Sequence, residues 1–563
     1  MIESKKIRTA SFLLACAVTS LCNAARAEQI PSTAQPGVLL RSLEKQSIEP
    51  TLSAQDIIVI QKGKNEAGDL SEDKAFTLQS LTLEGSTLYG QEAVNDVIRD
   101  YVGKQTSFAD LNAIGARLTA MYRNDGYIFS RVIVPPQKIK DGVVHLKALE
   151  GRVTDVKIVG TYKDDNHLIK DMAEKIKASV PTNEKDIERY LLLINDLPGI
   201  KARGVISPSQ TPGGGELTIT IEQKDLEGSV GIDNRGSRNL GPFQATAIAA
   251  ANSLFGIHDR TTVRVISTTD AKELMYGEIT HEEQLGTEGA NVVFRYARTR
   301  SRPGDNLAYL DIKGNSDNFD AETMYPLLRS RHTNVNLLAG FNSLGSESSI
   351  LGIKTVEDRV RSLRIGSHVD FTDSWAGITQ VEAKVIKGLS IFDATPDGAG
   401  RSNINGKHDF LRTDVSATRV QDLWDKFSLQ VSGHGQYTQD PLLSSEQFLI
   451  GGQGFGRAYD SGELTGDQGI VGAVELRYGE ETGNRYIPAY QFFTYYDSGR
   501  VWNLNSVVGQ AGTDAISSAG GGVRFNLDYD ISGSFELDKP LTRQVSAEGN
   551  KDTRIFFSLL KRF

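Results

Sequence analysis

The sequence predicts a membrane all-β fold, a 16-stranded outer-membrane β-barrel preceded by two small α+β modules, and three observations carry that prediction. After about Gly228 the chain consists of segments that alternate apolar and polar residues with the period of two that a strand imposes. Ahead of that half, one order of strand, helix, helix, strand, strand occurs twice. The chain also opens on a pattern that marks it for export.

In the first residues Lys5, Lys6 and Arg8 are basic, Ser11 to Leu21 are mostly apolar, and Ala25-Arg26-Ala27 supplies a small-x-small cleavage site. Residues 1–27 therefore read as a secretory signal peptide. Both cysteines, Cys16 and Cys22, fall inside it, so the remainder is expected to carry no disulfide framework and no thiol chemistry. No later stretch approaches the roughly 18–20 consecutive apolar residues of a membrane-spanning helix, so any membrane crossing has to be made by strands. The formal charge of -9 argues against nucleic acid as a partner, because phosphate binding calls for clustered positive charge.

Residues 28–75 form a polar run with one amphipathic stretch, Pro36-Gly37-Val38-Leu39-Leu40-Arg41-Ser42-Leu43. It reads as a short helix on a flexible linker, with Leu39, Leu40 and Leu43 on its apolar side.

The first α+β module spans residues 76–151. Leu81 and Leu83 alternate, Val94, Val97, Ile98 and Tyr101 follow helical spacing, and so do Leu111, Ile114, Leu118 and Met121. Asn124-Asp125-Gly126 ends that helix. Two strands follow, Ile128 to Val134 and Val143 to Leu149, the first stopped by Pro135-Pro136. The second module, residues 152–224, repeats the order with Val156 and Ile158, helices over Leu168 to Ile176 and Ile187 to Ile194, a break at Pro198-Gly199, and a last strand through Leu217, Ile219 and Ile221.

Residues 225–563 carry the barrel. Alternating segments such as Ala245 to Ala251, Asn291 to Ala297, Ser428 to Tyr437 and Gly472 to Tyr478 number about 16, an even count as bacterial outer-membrane barrels require. Phe563 is aromatic, and Leu559, Phe557 and Ile555 share its side of the last strand. A soluble sandwich alternates in the same way but occupies only about 100 residues.

Little in the chain suggests chemistry. Gly452-Gln453-Gly454-Phe455-Gly456 lacks the following helix that a dinucleotide loop requires, and the eight histidines are scattered without ligand spacing. No cofactor, metal site or enzymatic activity is expected. Two charges do stand out: Arg457 in a long glycine-rich connection over residues 438–469, and Asp497 among the aromatics of Phe492-Phe493-Thr494-Tyr495-Tyr496-Asp497-Ser498-Gly499. A carboxylate between bulky rings calls for a cation, and a bidentate Arg457–Asp497 lock would satisfy both.

At these residues the chain resembles the two-partner secretion transporters, the hemolysin secretion and activation proteins of the ShlB/FhaC/HecB type. Gly126-Tyr127-Ile128-Phe129-Ser130-Arg131-Val132-Ile133-Val134-Pro135-Pro136-Gln137 and Glu150-Gly151-Arg152 resemble that family's first POTRA module, and Asn195-Asp196-Leu197-Pro198-Gly199 its second. Gly231-Ile232-Asp233-Asn234-Arg235-Gly236 resembles the barrel start, and Gly456-Arg457-Ala458-Tyr459 the family's Val-Arg-Gly-aromatic tetrad with alanine in place of its glycine.

The resemblance implies that the long loop folds back into the barrel, where Arg457 meets the aspartate of Tyr495-Tyr496-Asp497-Ser498-Gly499. It implies that Phe563 acts as the barrel-assembly signal, and that the helix at Leu39, Leu40 and Leu43 plugs the pore. It implies periplasmic modules that capture the N-terminal secretion domain of an unfolded partner exoprotein of the adhesin or hemolysin type, in the outer membrane of a Gram-negative bacterium. Strand addition along Ser130, Arg131 and Val132 would supply that capture. Outer-membrane lipid, barrel-assembly machinery and periplasmic chaperones are the other expected partners of a monomer. The alternatives are a BamA-like assembly factor, which usually carries more modules, and a passive porin, which needs neither capture modules nor an internal arginine loop.

Overall fold

The computed structural model describes residues 31–44, 58–60, 75–396, 398, 400–505 and 512–563. The signal peptide read over residues 1–27 lies outside these, as does most of the linker after residue 44.

Sixteen strands, from Leu226–Asp233 to Arg554–Arg562, close into an antiparallel barrel in which every neighbour in the wall is the next wall strand along the chain. The alternation seen in the sequence is the alternation of its two faces. On the twelfth strand (Gln468–Glu481) Ile470, Val474 and Leu476 point outward and are exposed, while Val471, Ala473 and Glu475 are buried toward the lumen. Apolar side chains facing out and mixed polarity facing in is the arrangement lipid demands, since a closed ladder leaves no unpaired backbone in the hydrocarbon.

The barrel closes where the first strand meets the sixteenth over five residue pairs, Ser229↔Arg562 to Asp233↔Ser558. Phe563 continues that seam: its N–H donates to the Gly228 carbonyl (2.9 Å) and its own carbonyl accepts from Lys224 Nζ (2.9 Å). Its ring is exposed on the outer face with Ile555 and Leu559.

Among the described residues three elements precede the modules: a 3-10 turn (Ser32–Ala34) leading into α1 (Pro36–Glu44) inside the barrel, and β1 (Ile58–Ile60) from the linker. The first module comprises β2 (Ser80–Glu84), α2 (Gln91–Ile98), α3 (Phe108–Asn124), β3 (Arg131–Ile133) and β4 (Val143–Leu149), with sheet order β2-β4-β3. Ser107 starts α3 with a capping box to Asp110. Leu81, Val94, Ile98, Leu111, Ile114, Leu118, Val144 and Leu146 fill the core between helices and sheet. Only Arg131–Ile133 of the longer strand expected from Ile128 to Val134 pairs with β4.

The second module repeats the order as β5 (Arg152–Thr161), α4 (Leu168–Ala178), α5 (Glu184–Asn195), β6 (Ile200–Pro208) and β7 (Gly214–Gln223). Its sheet runs β1-β6-β7-β5, the linker strand having joined it. That strand was not expected from a run read as polar linker.

Glu150 ties the first module together at its junction with the second. Its carboxylate accepts from the Thr87 N–H (2.7 Å), the Thr87 hydroxyl (2.6 Å) and the Tyr122 hydroxyl (2.9 Å). Burial alone would raise its pKa, but these bonds outweigh burial and hold the carboxyl below the usual range. A depressed folded-state pKa contributes stability that is complete above the unfolded value of about 4.3 and is lost as pH falls through the folded value. Glu150→Gln is accordingly expected to weaken hydrogen-exchange protection across residues 76–151 by about 1 kcal/mol at pH 7, with the difference from the parent shrinking as the pH falls through the folded value.

Candidate functional site: a loop seated in the lumen against a short helix

The connection between the eleventh strand (Phe427–Thr438) and the twelfth turns back into the lumen. It is stiffened by a small antiparallel hairpin, Phe448–Ile450 against Leu464–Gly466. Its seat is the inner face of the twelfth and thirteenth strands, the latter spanning Ala489–Trp502, where alternation places Phe493, Tyr495, Asp497 and Gly499 toward the lumen. Gly499 is a matter of volume: a Cβ there would lie 2.7 Å from both Ile450 Cδ1 and Val471 Cγ2, so only glycine lets the loop come this close.

The structure corrects the expected arginine–aspartate pair. Asp497, fully buried, takes the Ser518 hydroxyl and the Arg457 backbone N–H (3.1 Å), not the guanidinium. The Arg457 guanidinium reaches further along the wall, to Glu475, and lies over the Tyr495 ring with 4.2 Å to its centroid. The reason is geometric. Glu475 and Tyr495 are cross-strand partners, as are Ala473 and Asp497, so the two acids stand on neighbouring strands and are offset by two positions, about 6.8 Å along the strand direction. Holding the loop backbone at Asp497 leaves the long arginine side chain to span that interval.

Glu475 is therefore the hub. Its carboxylate meets Arg457, Arg477 (2.6 Å) and Arg524 (2.9 Å) with its side chain 1% exposed, and Arg524 stacks over Phe493 at 3.9 Å. One buried carboxylate among three guanidinium groups, Arg524 bonding it through two nitrogens and two of the three lying on aromatic faces, makes a rigid anchor. A signal for it was present: Glu475 and Arg477 follow Gly469, Val471 and Ala473 on the inward face of the strand.

The remaining tetrad residues fix the loop from other sides. Gly456 is left-handed (φ +71°), and a Cβ on it would lie 2.9 Å from Ile516 Cδ1. Ala458 is fully buried and has no positive φ, so alanine fits where the family pattern has glycine; its carbonyl accepts from Arg554 Nη1 (3.0 Å). The Tyr459 hydroxyl donates to the Ser517 carbonyl (3.3 Å) and lies 3.3 Å from the Thr542 hydroxyl. Arg235, at the end of the first strand, pairs with Glu536 (2.6 Å) and donates to the Arg457 carbonyl (3.3 Å), joining barrel start and loop.

The helix α1 lies in the same lumen. Leu39, Leu40 and Leu43 are buried in one cluster with Leu240, Ile266, Leu274, Tyr276, Ala297 and Leu344 of the barrel. Burying three leucines contributes about 1.5–3 kcal/mol each before ordering costs. The helix and the 3-10 turn ahead of it (Ser32–Ala34) also touch the loop: Arg41 donates to the Ser445 carbonyl and faces Glu446 at 3.8 Å, and the Ser32 hydroxyl of the turn donates to the Gly462 carbonyl (2.6 Å). At its far end Glu44 accepts from Asn318 (2.8 Å).

In the first module the expected capture residues divide. β3 is an edge strand of its sheet. Yet Ser130 is buried and its hydroxyl accepts the Gly151 N–H (3.0 Å), and Val132 is buried with its N–H donated to the Thr119 hydroxyl of α3 (2.9 Å). Of the three only Arg131 is exposed. The edge is covered because α3 packs along it, a contact that strand alternation alone does not reveal.

The second module's signature joins it to the barrel. The Asn195 amide pairs with both the N–H and the carbonyl of Ala202 (2.9 Å each), Gly199 is left-handed (φ +71°), and Asp196 takes a forked pair of bonds from Arg329 of the sixth strand (2.7 Å each).

The comparisons agree with this architecture. A family model described as haemolysin secretion/activation protein ShlB/FhaC/HecB matches residues 213–525, and one described as POTRA domain, ShlB-type, matches residues 76–151. The heme/hemopexin transporter protein HuxB of Haemophilus influenzae (strain 86-028NP) is 23% identical, with 94% of each chain covered. The outer membrane transporter CdiB of Dickeya dadantii (strain 3937) is 23% identical over 77% of this chain and 78% of its own. The solved structure of CdiB from Escherichia coli superposes with a TM-score of 0.73 at 21% identity, covering 93% of this chain and 95% of that one. The chain belongs to the ShlB/FhaC/HecB family of haemolysin secretion/activation proteins and is an outer-membrane transporter of two-partner secretion, its POTRA modules lying in the periplasm.

Proposed function

We propose that the barrel is a gated conduit for one unfolded partner exoprotein, closed at rest by α1 and by the loop seated on Glu475 and Asp497. The observation that carries this reading is that the loop and the helix with its leading turn occupy the same lumen and bond to one another through Arg41 and Ser32. A passive porin has no use for such a closure, and an assembly factor would not need to open its lumen. The modules recognise the partner's N-terminal secretion domain in extended form, by backbone pairing that tolerates many sequences. No bond of the cargo is made or broken by the transporter, and folding of the cargo outside supplies the pull. The monomer reaches the membrane through periplasmic chaperones and the barrel-assembly machinery, with Phe563 in its signal.

The test is co-expression with the neighbouring gene product that carries an N-terminal secretion domain. Removing residues 76–223 should retain that product in the cell while a heat-modifiable barrel persists in the outer membrane. Continued release into the medium would refute the capture role.

A further inference from the structure

The outer face of the eighth and ninth wall strands (Ile353–Thr372 and Gly377–Gly388) changes character within one pleat. Ile365 and Leu363 on the eighth strand and Val385 on the ninth are exposed apolar residues of the band that meets lipid. The next outward positions are Arg361 and Lys387. The first wall strand leaves the periplasmic second module, so odd-numbered strands run outward, and the start of the eighth strand and the end of the ninth stand at the extracellular edge of the band. Lys387 is the cross-strand partner of Leu363, and Arg361 lies two residues further along, so the two cations are diagonal neighbours about 7–8 Å apart at the backbone.

Arg361 Nη1 donates to the Leu344 carbonyl of the seventh strand (2.9 Å) and to the Val360 carbonyl (2.8 Å). Its Nε and Nη2 donate to no partner among the described residues, so one side of the guanidinium is fixed and the rest is open. Lys387 Nζ donates to the Asp409 carbonyl. A snorkelling side chain reaches for water with its head group mobile, whereas protein carbonyls steady both heads here. Among the described residues neither cation has a carboxylate at ion-pair distance, although their neighbours do: Arg359 meets Glu357 (2.9 Å) and Asp393 (3.9 Å), and Lys407 meets Asp440 (2.8 Å). The connection after the ninth strand lies alongside, its Leu389 N–H donating to the Arg361 carbonyl (2.8 Å). It presents Ile391 and Phe392, both exposed, and the Phe392 ring meets Phe341 of the seventh strand edge-on with centroids 6.5 Å apart. An apolar surface beside two steadied cations fits a ligand with an anionic head and acyl chains.

We propose that Arg361 and Lys387 form a binding site for a phosphate group of the outer-leaflet glycolipid, whose acyl chains lie along Phe341, Leu363, Ile365 and Phe392. The outer leaflet of a Gram-negative outer membrane is built from phosphorylated glycolipid, and a guanidinium offers phosphate oxygens a planar set of donors. The site follows from the outer-membrane location of the barrel and is independent of how the exported partner is captured.

The probe is purified bisphosphorylated lipid A, titrated into the full-length protein in a nonionic detergent and followed by native mass spectrometry. Arg361→Gln combined with Lys387→Gln removes two charge-assisted contacts and should weaken binding about ten-fold. Equal binding by parent and double variant would overturn the proposal. Arg298→Gln combined with Arg300→Gln removes as much charge from the fifth strand, and should leave binding unchanged; an equal loss there would reduce the effect to net charge and overturn the site. Lipid A stripped of its phosphates should bind parent and double variant alike. Phosphatidylglycerol should do the same, and about a ten-fold preference of that lipid for the parent would assign the cations to phospholipid head groups instead. Heat-modifiable migration shows that each barrel is folded. Lys387→Gln alone, which gives up only the bond to the Asp409 carbonyl, keeps the test open should the double variant misfold, and it should weaken lipid A binding about three-fold; unchanged binding would count against the site.

Discussion

Glu475→Gln is expected to unseat the loop and reduce partner secretion at least about ten-fold while the barrel still assembles. The carboxylate is the shared counter-charge of Arg457, Arg477 and Arg524, and its side chain is 1% exposed. Removing one member of a buried ionic cluster costs about 3–5 kcal/mol, because the charges left behind stay desolvated. Glutamine keeps the shape and loses the charge, so the effect isolates the electrostatics. Arg457→Lys should fall in the same direction, since an ammonium does not replace the flat stacking on Tyr495. Asp497→Asn should be milder, because an amide oxygen still accepts the Arg457 N–H. Protease accessibility of the loop in whole cells and the amount of partner in the medium are the two measurements. A fully active Glu475→Gln protein would show that the hub does not hold the gate.

Removing α1 should have a comparable effect in the opposite sense. Deleting residues 36–44 withdraws three buried leucines and the polar contacts of Arg41 and Glu44 from the lumen. Single-channel conductance in planar bilayers is expected to rise severalfold, with steady open currents. Leu40→Asp is the point-mutant counterpart: Leu40 is fully buried, and a carboxylate in that apolar cluster costs several kcal/mol unless the helix leaves. Currents indistinguishable from the parent in both variants would remove the helix from the closed state.

How far the sequence alone reached depended on what kind of signal each feature leaves. The barrel was legible because lipid on one side and a mixed lumen on the other enforce alternation over every wall strand. Both modules were legible because apolar residues at strand and helix spacing build a core of their own, except β6: its inward positions include Ala202 and Gly204, too small to register as apolar. The loop site was partly legible. Arg457 and Asp497 were conspicuous by composition, and they do meet, through the Arg457 backbone N–H. Their pairing was not legible, because it depends on register: only the cross-strand pairs Glu475↔Tyr495 and Ala473↔Asp497 reveal which acid a guanidinium can reach. Ser130 and Val132 were assigned to an open edge because nothing in a strand's own residues announces a helix lying along it.

The contacts of α1 and the turn before it with the loop, Arg41 to Ser445 and Ser32 to Gly462, close a thermodynamic cycle across the membrane. Whatever factor the seated loop adds to retention of the helix, the retained helix adds to seating of the loop, because coupling between two sites is reciprocal. An antibody fragment that binds the loop only when unseated would therefore loosen the helix from outside the cell. A periplasmic ligand that captures the freed helix would raise that antibody's affinity by the same factor. The two faces of the membrane can be read from either side.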